Sequence, residues 1–388
     1  MRYFLNSLKK ILFAEWEFLP PKNKKILIFN KSWSNLLSNI FKKNQISILH
    51  TRGEKVNLYI VLVCLAKGLF RPGDYYIQYI KEVNPKMIIT FIDNSNLFWK
   101  LNKITNIKTI FIQNGMRSHF RDIWGNKKLV SKKNNYKVNL MFVFNSYYGK
   151  RYNSFIKGKY VAIGSFKSNM IKVSKKNKKK EIAFVSTFRP LDDSKIVSHD
   201  VSWGYYNKNH IFFMEWVKWY CKKNKIRINI FGKSMSEKGK EIEENYYKNI
   251  FFDSDYTFIR PPLYGSTYRA HGPTYRTLDK FKYVFTPDST FGIENLSRNG
   301  RTGFIANMPN KYPINTIKFG WNENFKSKGP FWTNQNKYSE FKRVFDFVIN
   351  GSESKWKKVR KKFVPKVMPY DYENKIFKRE IKKYMISL

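Results

Sequence analysis

The chain of 388 residues has little cysteine, few acidic residues and no long apolar segment. Its two cysteines, Cys64 and Cys221, belong to no metal-spaced pair, so neither a disulfide framework nor a thiolate metal site is indicated. The five histidines show no zinc spacing. No apolar run approaches the roughly 20 residues that span a bilayer, and no signal-peptide pattern is present. These absences predict a cytoplasmic protein with reduced thiols.

Several common catalytic motifs are also missing. Without a Gly-x-Gly-x-x-Gly fingerprint or a Walker A loop, hydride transfer and P-loop nucleotide hydrolysis lack support. No Gly-x-Ser-x-Gly elbow is present to supply a hydrolase nucleophile. Asp253-Ser254-Asp255 has a spacing that can hold Mg²⁺ or Mn²⁺, but three-residue matches arise often by chance. We therefore expect neither a bound metal nor an organic cofactor.

The scarcity of acidic residues leaves a large positive charge. The chain has 74 Lys and Arg against 28 Asp and Glu, a formal net charge of +46 at pH 7. Such a charge attracts nucleic acid, an anionic membrane surface or phosphorylated substrates. The abundance of Lys, Asn, Ile, Tyr and Phe is also what an AT-rich genome would produce. Because the aromatic residues fall mainly at core-like positions, we expect a membrane surface rather than specific nucleic acid as a partner.

Short apolar strands alternate with helical segments along most of the chain. Hydrophobic residues make up 42% and aromatic residues 18% of the sequence, enough to form real cores. The alternation predicts βαβ units with parallel sheets, and the length suits two such domains. Strands are predicted at residues 26–29, 46–49, 87–92, 109–112, 140–144 and 160–164, and then at 181–186, 226–231, 251–259 and 283–285.

A lysine-rich run divides the pattern into two halves. Runs of like charge of this kind are usually solvated linkers or surface loops. We predict an α/β domain over residues 1–170, a basic linker over 171–180, a second α/β domain over 181–345, and C-terminal helices over 346–388 that cross back to the first domain.

Two further helices are predicted near the N-terminus. Residues 1–19 have apolar positions at helical spacing with lysines between them, which suits either an anionic leaflet or packing on the domain. Residues 56–69 are long and apolar, which predicts a buried helix.

The most informative stretch runs from Thr286 to Ile305. A strand ends there at small hydroxylated residues, and a helix begins with Ser289 or Thr290 as its N-cap. The free N–H groups and positive dipole end of a helix suit a phosphate, and a nearby carboxylate such as Glu294 suits ribose hydroxyls. The candidates of this half are Arg189, Lys233, Arg260, Tyr275, Asp288, Ser289, Thr290 and Glu294.

Three predicted strand ends in the first half carry polar groups. Ligands of open α/β sheets bind outside such carboxyl ends. Gly115 permits close backbone approach or a positive φ, and Arg117 can pair with an anion through two parallel hydrogen bonds. The three segments are His50–Glu54, Asp93–Asn96 and Gln113–His119.

Two of these stretches resemble the bacterial surface carbohydrate biosynthesis proteins. Ile112–Arg117, preceded by Ile89–Asn94, resembles their N-terminal half. Asp288–Glu294 resembles their Asp-Ser-Thr-Leu-Gly-Tyr-Glu segment, with Phe291 and Ile293 in place of Leu and Tyr. The small residues followed by Glu are also similar to donor sites of GT-B glycosyltransferases and sugar-nucleotide epimerases. The resemblance covers roughly residues 50–120 and 180–310.

The resemblance implies a GT-B-like α/β fold, in which two Rossmann-like domains with parallel sheets face a cleft. It also implies transfer of a sugar from a nucleotide-activated donor to a surface-glycan acceptor in capsule, lipopolysaccharide or related glycan assembly. The basic surface would hold the enzyme near anionic lipid and lipid-linked acceptors, on the inner face of the cytoplasmic membrane. We expect this transfer to be metal-independent, with the donor in the second domain and the acceptor in the first. The donor-binding residues would be Arg189, Lys233, Asp288, Ser289, Thr290 and Glu294.

The catalytic base would come from the first domain. Glu54 and Asp93 are the preferred candidates, because carboxylates at strand ends can be tuned toward a neutral pKa, and His119 is a third. The residues expected to bind the acceptor or a phosphate are Arg52, Gln113, Asn114, Gly115 and Arg117.

Two other functions are compatible with the residues. A sugar-nucleotide epimerase or hydrolase would use the same fold and the same donor site but no acceptor. A basic nucleic-acid-binding protein would show a continuous basic stripe with stacking aromatic residues in a groove.

Overall fold

The computed structural model describes residues 13–38, 40–117, 123–174, 179–188, 196–198, 201–234, 236–261, 271–305, 319 and 325–386. The predicted site residues His119 and Arg189 lie outside these ranges. The chain divides into two compact units. Unit 1 consists of Met1–Asn114, Asn126–Phe166 and Asn374–Leu388, and unit 2 consists of Gly115–Gly125 and Lys167–Glu373.

Unit 1 is built from short apolar strands and the helices that connect them. The strands are β1 (Glu15–Glu17), β2 (Ile26–Phe29), β3 (Ile46–Leu49), β4 (Lys55–Asn57), β5 (Met87–Thr90), β6 (Lys108–Ile112), β7 (Tyr136–Val143) and β8 (Ile156–Ala162). The helices are α1 (Ser34–Ser38), α2 (Leu58–Ala66), α3 (Pro72–Val83), α4 (Asn96–Thr105) and α5 (Ser146–Asn153).

Six strands of unit 1 form one sheet in the order β3-β2-β5-β6-β7-β8, and every neighbouring pair is parallel. The central strands β2 and β5 are buried along their whole length. Near-continuous apolar strands are typical of parallel sheets that are covered on both faces. Asn57, Ser95 and Asn145 cap α2, α4 and α5, because their side-chain oxygens accept a backbone N–H of the first helical turn.

Two local predictions for unit 1 are wrong in part. Glu15–Glu17 is a strand paired in parallel with β4, so a helix does not run through residues 15–17. Residues 1–12 lie outside the described ranges. The helix predicted at 56–69 is present as α2, but it is not buried throughout, since Leu62 is 56% and Leu65 is 53% exposed. The apolar composition of α2 therefore reaches the surface of the unit.

Unit 2 has more elements. Its strands are β9 (Lys179–Val185), β10 (Ile196–Ser198), β11 (Val201–Ser202), β12 (Ile228–Phe231), β13 (Tyr256–Ile259), β14 (Phe281–Thr286), β15 (Arg301–Ile305), β16 (Lys328–Gly329) and β17 (Trp332–Thr333). Its helices are α6 (Phe166–Asn169), α7 (Trp203–Asn224), α8 (Glu237–Phe251), α9 (His271–Leu278), α10 (Thr290–Ser297), α11 (Tyr338–Asn350) and α12 (Glu353–Val367). The strand predicted at 251–259 begins only at Tyr256, because Phe251 still belongs to α8.

The sheet of unit 2 has the order β13-β12-β9-β14-β15-β17-β16. All neighbouring pairs are parallel except β16 with β17. Numbered in chain order, the six parallel strands read 3-2-1-4-5-6, which is the strand order of the Rossmann fold. The order reverses between β9 and β14, so the topological switch point lies there.

The last helix, α13 (Lys375–Ile386), belongs to unit 1. Its Phe377 ring packs against the rings of Phe142 and Phe166, with centroids 4.5 and 4.9 Å away. Lys159 at the end of the sheet pairs with Glu380 of the same helix at 3.0 Å. Within the described ranges, no helix has both the length and the apolar character that a membrane span requires.

Candidate functional site

The carboxyl ends of β9 and β14 lie side by side at the switch point of unit 2. The hydroxyl of Thr286, at the end of β14, donates to the carbonyl of Val185, at the end of β9, at 2.9 Å. Ligands of open α/β sheets bind outside the carboxyl ends of the strands at such a point. The segment that the sequence singles out, from Thr286 to Glu294, therefore begins where the topology favours a ligand.

The start of α10 is fixed by short hydrogen bonds. Ser289 is the N-cap, since its Oγ accepts the N–H of Phe291 at 3.2 Å, and Thr290 is the first helical residue. The N–H of Ser289 donates to Thr286 Oγ1 at 3.4 Å. A Cβ atom on Gly292 would lie 2.4 Å from Cγ2 of Thr286, so only glycine allows the helix to approach the strand so closely. The helix end is thereby held against the sheet edge.

The side chain of Glu294 is buried and oriented. It is 3% exposed, and its Oε2 accepts the hydroxyl of Tyr275 from α9 at 2.6 Å. Burial raises the pKa of Tyr275 well above its ordinary value, and the neighbouring Glu294 carboxylate raises it further. Tyr275 consequently remains a hydrogen-bond donor at neutral and moderately alkaline pH. Asp288 and Thr290, in the same segment, are half-buried.

A buried arginine, which the sequence does not single out, supports this pair. Arg298 is 1% exposed and forms an ion pair of 2.6 Å with Asp279. Its guanidinium also donates to the carbonyls of Ser168 and Ile171 and lies 5.2 Å from the ring centroid of Tyr275. Tyr275 thus contacts the Glu294 carboxylate and the Arg298 guanidinium. The only sequence signal was an arginine four residues after Glu294, in a stretch that looks like a surface turn.

The predicted cations of unit 2 differ in their surroundings. Lys233 follows β12 and has an exposed side chain. Arg260 follows β13, where its Nε donates to Glu244 of α8 at 2.7 Å, so it is engaged away from a ligand. Arg189 lies outside the described residues.

The Asp-x-Asp spacing noted in the sequence forms ion pairs. Asp253 is bonded to Lys222 and lies 3.5 Å from Lys218, while Asp255 lies 3.5 Å from Arg227. Lysine and arginine nitrogens therefore surround the oxygens that a metal would need. In the part of the chain that is described, no three His, Cys, Asp or Glu side chains are grouped so as to hold a metal ion.

In unit 1, Asp93 is fully buried. Its Oδ2 accepts the hydroxyl of the equally buried Tyr152 at 2.6 Å, and its Oδ1 accepts the N–H of Asn114 at 3.4 Å. These bonds connect the segment after β5 with α5 and with the end of β6. The geometry is that of a group that positions a neighbouring loop.

The Gln113–Arg117 segment continues this network. Gln113 Oε1 accepts the N–H of Phe144 at 2.9 Å, which joins the ends of β6 and β7. Asn114 Oδ1 is buried and accepts no hydrogen bond from the described residues. Of the two alternatives that the sequence left open at Gly115, a positive φ does not occur. A Cβ there would meet no described atom within 4 Å, so the space in front of it is open. Arg117 is half-buried.

Of the two candidate carboxylates of unit 1, Glu54 is more accessible than Asp93, with 35% of its side chain exposed. Its Oε2 accepts the N–H of Arg52 at 3.2 Å and lies 4.0 Å from Nδ1 of His50. Burial lowers the pKa of His50, although the Glu54 carboxylate opposes that effect. The side chain of Arg52 is exposed. Glu54 and Arg52 can thus meet a ligand, with His50 behind them.

Sequence reasoning missed Asn30, which follows β2. It is 3% exposed and has a φ of 89°, a conformation that asparagine tolerates better than most residues. Its side-chain amide donates to Thr51 Oγ1 at 2.5 Å and accepts the N–H of Ser32 at 2.8 Å. An asparagine directly after an apolar strand was the signal that could have revealed this link between the ends of β2 and β3.

Two solved structures illustrate the fold that this chain shares. A putative UDP-N-acetylglucosamine 2-epimerase from Listeria monocytogenes has a TM-score of 0.52 at 10% identity, over 95% of this chain and 97% of that one. The wall teichoic acid polymerase TagF has a TM-score of 0.50 at 10% identity, over 94% and 90%. At such identities the likeness shows the fold alone. The fold is GT-B-like, with two Rossmann-like domains and parallel sheets, as predicted.

The family follows from the sequence itself. A family model described as "putative O-antigen biosynthesis protein" matches residues 110–385, so the chain belongs to that family. This match confirms the resemblance to surface carbohydrate biosynthesis proteins. No curated protein sequence matches the chain significantly.

Proposed function

We propose that the protein is a glycosyltransferase that moves a sugar from a nucleotide-activated donor to a surface-glycan acceptor, such as a growing O-antigen. Membership of the O-antigen biosynthesis family supports the pathway, and the GT-B-like fold supports the donor class. The observation that carries the proposal is the Glu294 carboxylate. It is buried, oriented by Tyr275, and placed on a helix that begins at the switch point of a Rossmann-ordered sheet.

On this proposal unit 2 binds the donor. Glu294 accepts hydrogen bonds from the ribose hydroxyls, as acidic residues do in related sites. The N–H groups at the start of α10, together with the segment Asp288–Thr290, hold the diphosphate. Lys233 and Arg189 offset the negative charge that develops on the departing nucleotide.

Unit 1 supplies the catalytic base. Glu54 suits this role better than Asp93, because it is partly exposed while Asp93 is fully buried and engaged by Tyr152. The Glu54 carboxylate takes the proton of the acceptor hydroxyl as the hydroxyl oxygen bonds to the anomeric carbon, while the bond from that carbon to the phosphate oxygen breaks and the nucleotide leaves. His119, a third candidate from the sequence, belongs to the Gly115–Gly125 segment of unit 2 and not to unit 1. Arg52, Gln113 and Asn114 would contact the acceptor, and Arg117 a phosphate on it.

We propose further that transfer needs no metal ion. The support is that the single metal-like spacing of the sequence is used in ion pairs with Lys222, Lys218 and Arg227. The cations Lys233 and Arg189 would carry out the charge stabilisation. Sugar transfer should then continue at an unchanged rate in excess EDTA, whereas loss of activity that Mg²⁺ or Mn²⁺ restores would contradict this part.

We propose that the enzyme works at the inner face of the cytoplasmic membrane, where a lipid-linked acceptor would lie. Leu62, Leu65 and Phe70 of unit 1 are exposed apolar side chains near Lys67 and Arg71 in the chain. Apolar residues flanked by cations suit an anionic lipid surface. In unit 2, helix α12 exposes the lysines Lys355, Lys357, Lys358, Lys361, Lys362 and Lys366.

Vesicle sedimentation tests this location. The protein should bind vesicles of phosphatidylglycerol and phosphatidylcholine, bind pure phosphatidylcholine poorly, and detach as salt is raised. Leu65→Asp should weaken binding, whereas Ile104→Asp, at an exposed position of α4, should not. Tight, salt-dependent binding to DNA with no vesicle binding would favour the nucleic-acid alternative instead.

Calorimetry tests the donor site. The protein should bind one of UDP, GDP, CMP or CDP, and Glu294→Ala should weaken that binding by about tenfold or more, the size of a hydrogen bond to a charged group. Glu241→Ala, at an exposed position on α8, is the matched control and should change nothing. Equal affinity of Glu294→Ala and wild type would contradict the assignment.

Product analysis separates transfer from the alternatives on the same fold. With the nucleotide-sugar alone, a transferase leaves most of the donor intact until acceptor is added. Conversion of the sugar without acceptor would indicate an epimerase, and release of free sugar would indicate a hydrolase.

A further inference from the structure

Helix α8 contains a buried glutamate that none of the roles above uses. Glu243 has no exposed surface, although neighbouring Glu241 is exposed. Its carboxylate accepts the N–H of Lys233 on both oxygens at 3.0 and 2.9 Å and the N–H of Ser234 at 2.7 Å. It also accepts the hydroxyl of Ser186 at 2.5 Å. A buried carboxylate with this many donors is a fixed part of the structure.

These bonds join two neighbouring strand ends. Ser186 follows β9, and Lys233 and Ser234 follow β12, the strand paired with β9. The Ser186 hydroxyl also accepts the N–H of Phe188 at 3.0 Å and lies 2.8 Å from the hydroxyl of Tyr247. Both segments after the strands are thus held to one point on α8. The Ser186 segment borders the switch point, because it follows β9 and β9 is the strand next to β14.

The arrangement has the form of an anion site that the protein fills itself. Consecutive N–H groups after a strand commonly bind a phosphate oxygen. Here the Glu243 carboxylate takes that place, so the backbone of the Lys233 segment is already fixed without a ligand. Burial raises the pKa of Glu243, while its hydrogen bonds to Ser186 and Ser234 oppose the rise. The N–H groups of Lys233 and Ser234 are bonded to Glu243. The side chain of Lys233 is exposed and can contact a ligand.

We propose that Glu243 is a positioning residue of the donor site, which fixes the Lys233 segment so that its ammonium group meets the donor diphosphate. This inference rests on the proposed function, since it takes unit 2 as the donor unit. Fixing a charged group before the ligand arrives strengthens binding because less order is lost on association. The role is indirect, because Glu243 itself has no exposed surface with which to touch the nucleotide.

A double-mutant cycle tests the inference. Affinities for UDP, GDP and CDP are measured by calorimetry for wild type, Glu243→Gln, Lys233→Ala and the double variant, with Glu241→Gln as the matched control. Each single change should weaken binding by about tenfold, the size of a hydrogen bond to a charged group. The double variant should also lose about tenfold, because Glu243 acts through Lys233. A merely structural role would not produce this non-additivity.

Several outcomes would overturn the inference. A loss of about a hundredfold in the double variant would show independent roles. Unchanged affinity in Glu243→Gln, with a lower melting temperature, would show that Glu243 serves stability alone. If Glu243→Gln does not fold, Ser186→Ala replaces it in the cycle; it should weaken binding a few-fold without adding to Lys233→Ala, and unchanged affinity would overturn the inference. A wild-type protein that binds no nucleotide would refute the proposed function, a result that needs no variant.

Discussion

The strand ends of the two units are built from different chemistry. In unit 2, buried charged groups fix the backbone around the switch point: Glu243 holds two segments after strands, Arg298 pairs with Asp279, and Glu294 is oriented by Tyr275. In unit 1, most of the links are made by amides and hydroxyls, as in Asn30 with Thr51 and Gln113 with Phe144. Of the two candidate bases there, Glu54 is partly exposed, whereas Asp93 is fully buried.

The difference suggests a division of work. Buried charges are costly unless they are fully bonded, so they persist where a rigid arrangement is needed. A donor nucleotide of defined shape suits such a preformed site. An acceptor glycan needs a base that exchanges protons with its hydroxyl, and a partly exposed glutamate can do so.

The largest expected effect concerns Glu54, the proposed base in unit 1. Glu54→Gln should lower kcat by about 10²- to 10⁴-fold, the usual contribution of a general base, with little change in nucleotide affinity. Steady-state kinetics with donor and acceptor measure both quantities. Glu82→Gln, on α3 of the same unit, is the matched control and should behave as wild type. A stable Asp93→Asn variant without activity, beside an active Glu54→Gln variant, would reverse the assignment.

The next effect concerns the buried charges of unit 2. Arg298→Ala should lower the free energy of unfolding by about 3–5 kcal/mol, because it leaves Asp279 buried without its partner. Urea denaturation measures the loss. Arg379→Ala, at a side chain 64% exposed, should stay within about 0.5 kcal/mol of wild type. Equal losses in the two variants would remove the contrast between buried and surface charge.

A smaller loss of folding stability is expected at Asp93, a buried carboxylate of unit 1. Asp93→Asn should cost about 1.5–3 kcal/mol, since an amide keeps one hydrogen bond but presents N–H groups to a donor. Its kcat should fall less than that of Glu54→Gln. The same denaturation and kinetic measurements apply, and a loss larger than that of Arg298→Ala would contradict the comparison.

The smallest effect is a pH dependence that also differs between the units. Burial lowers the pKa of His210 in unit 2 to about 3, and it lowers the pKa of His50 in unit 1 less strongly. Below about pH 6.5 the unfolded chain binds protons that the folded protein excludes, so stability falls as pH falls. For His210 this loss continues to about pH 3 and reaches no more than about 2 kcal/mol at pH 5.

Thermal melting from pH 7 to pH 5 checks this prediction. His210→Gln should show a flatter decline of the melting temperature than wild type, and His50→Gln should flatten it less. A steeper decline in either variant would contradict the direction of the pKa changes.

Much of the fold could be predicted because parallel strands are encoded locally. Runs such as Ile26–Phe29 and Met87–Thr90 are apolar throughout, and their spacing leaves room for helices between them. The same locality applies to the start of α10, where Ser289 provides the cap beside the strand end at Thr286. The family match and the fold then agree with the resemblance seen in Asp288–Glu294.

The remaining features depend on tertiary contacts that have no local signature. Glu243 stands in a charged helix beside Glu241 and Glu244, and only the packing of α8 decides which of them is buried. Arg298 looks like a residue of a surface turn. The apolar helix α2 looks buried but exposes Leu62 and Leu65, because burial depends on what packs against it. The roles of Glu54, Glu294 and Lys233 stay predictions.

The central claim is that unit 2 binds the nucleotide at its switch point. Hydrogen–deuterium exchange with and without the nucleotide that binds best tests it most directly. Nucleotide should slow exchange in peptides covering Thr286–Glu294 and Gly232–Ser234. The Arg379→Ala control should show the same slowing as wild type. Slower exchange confined to unit 1, for example around Thr51–Asn57, with none at Thr286–Glu294, would contradict it.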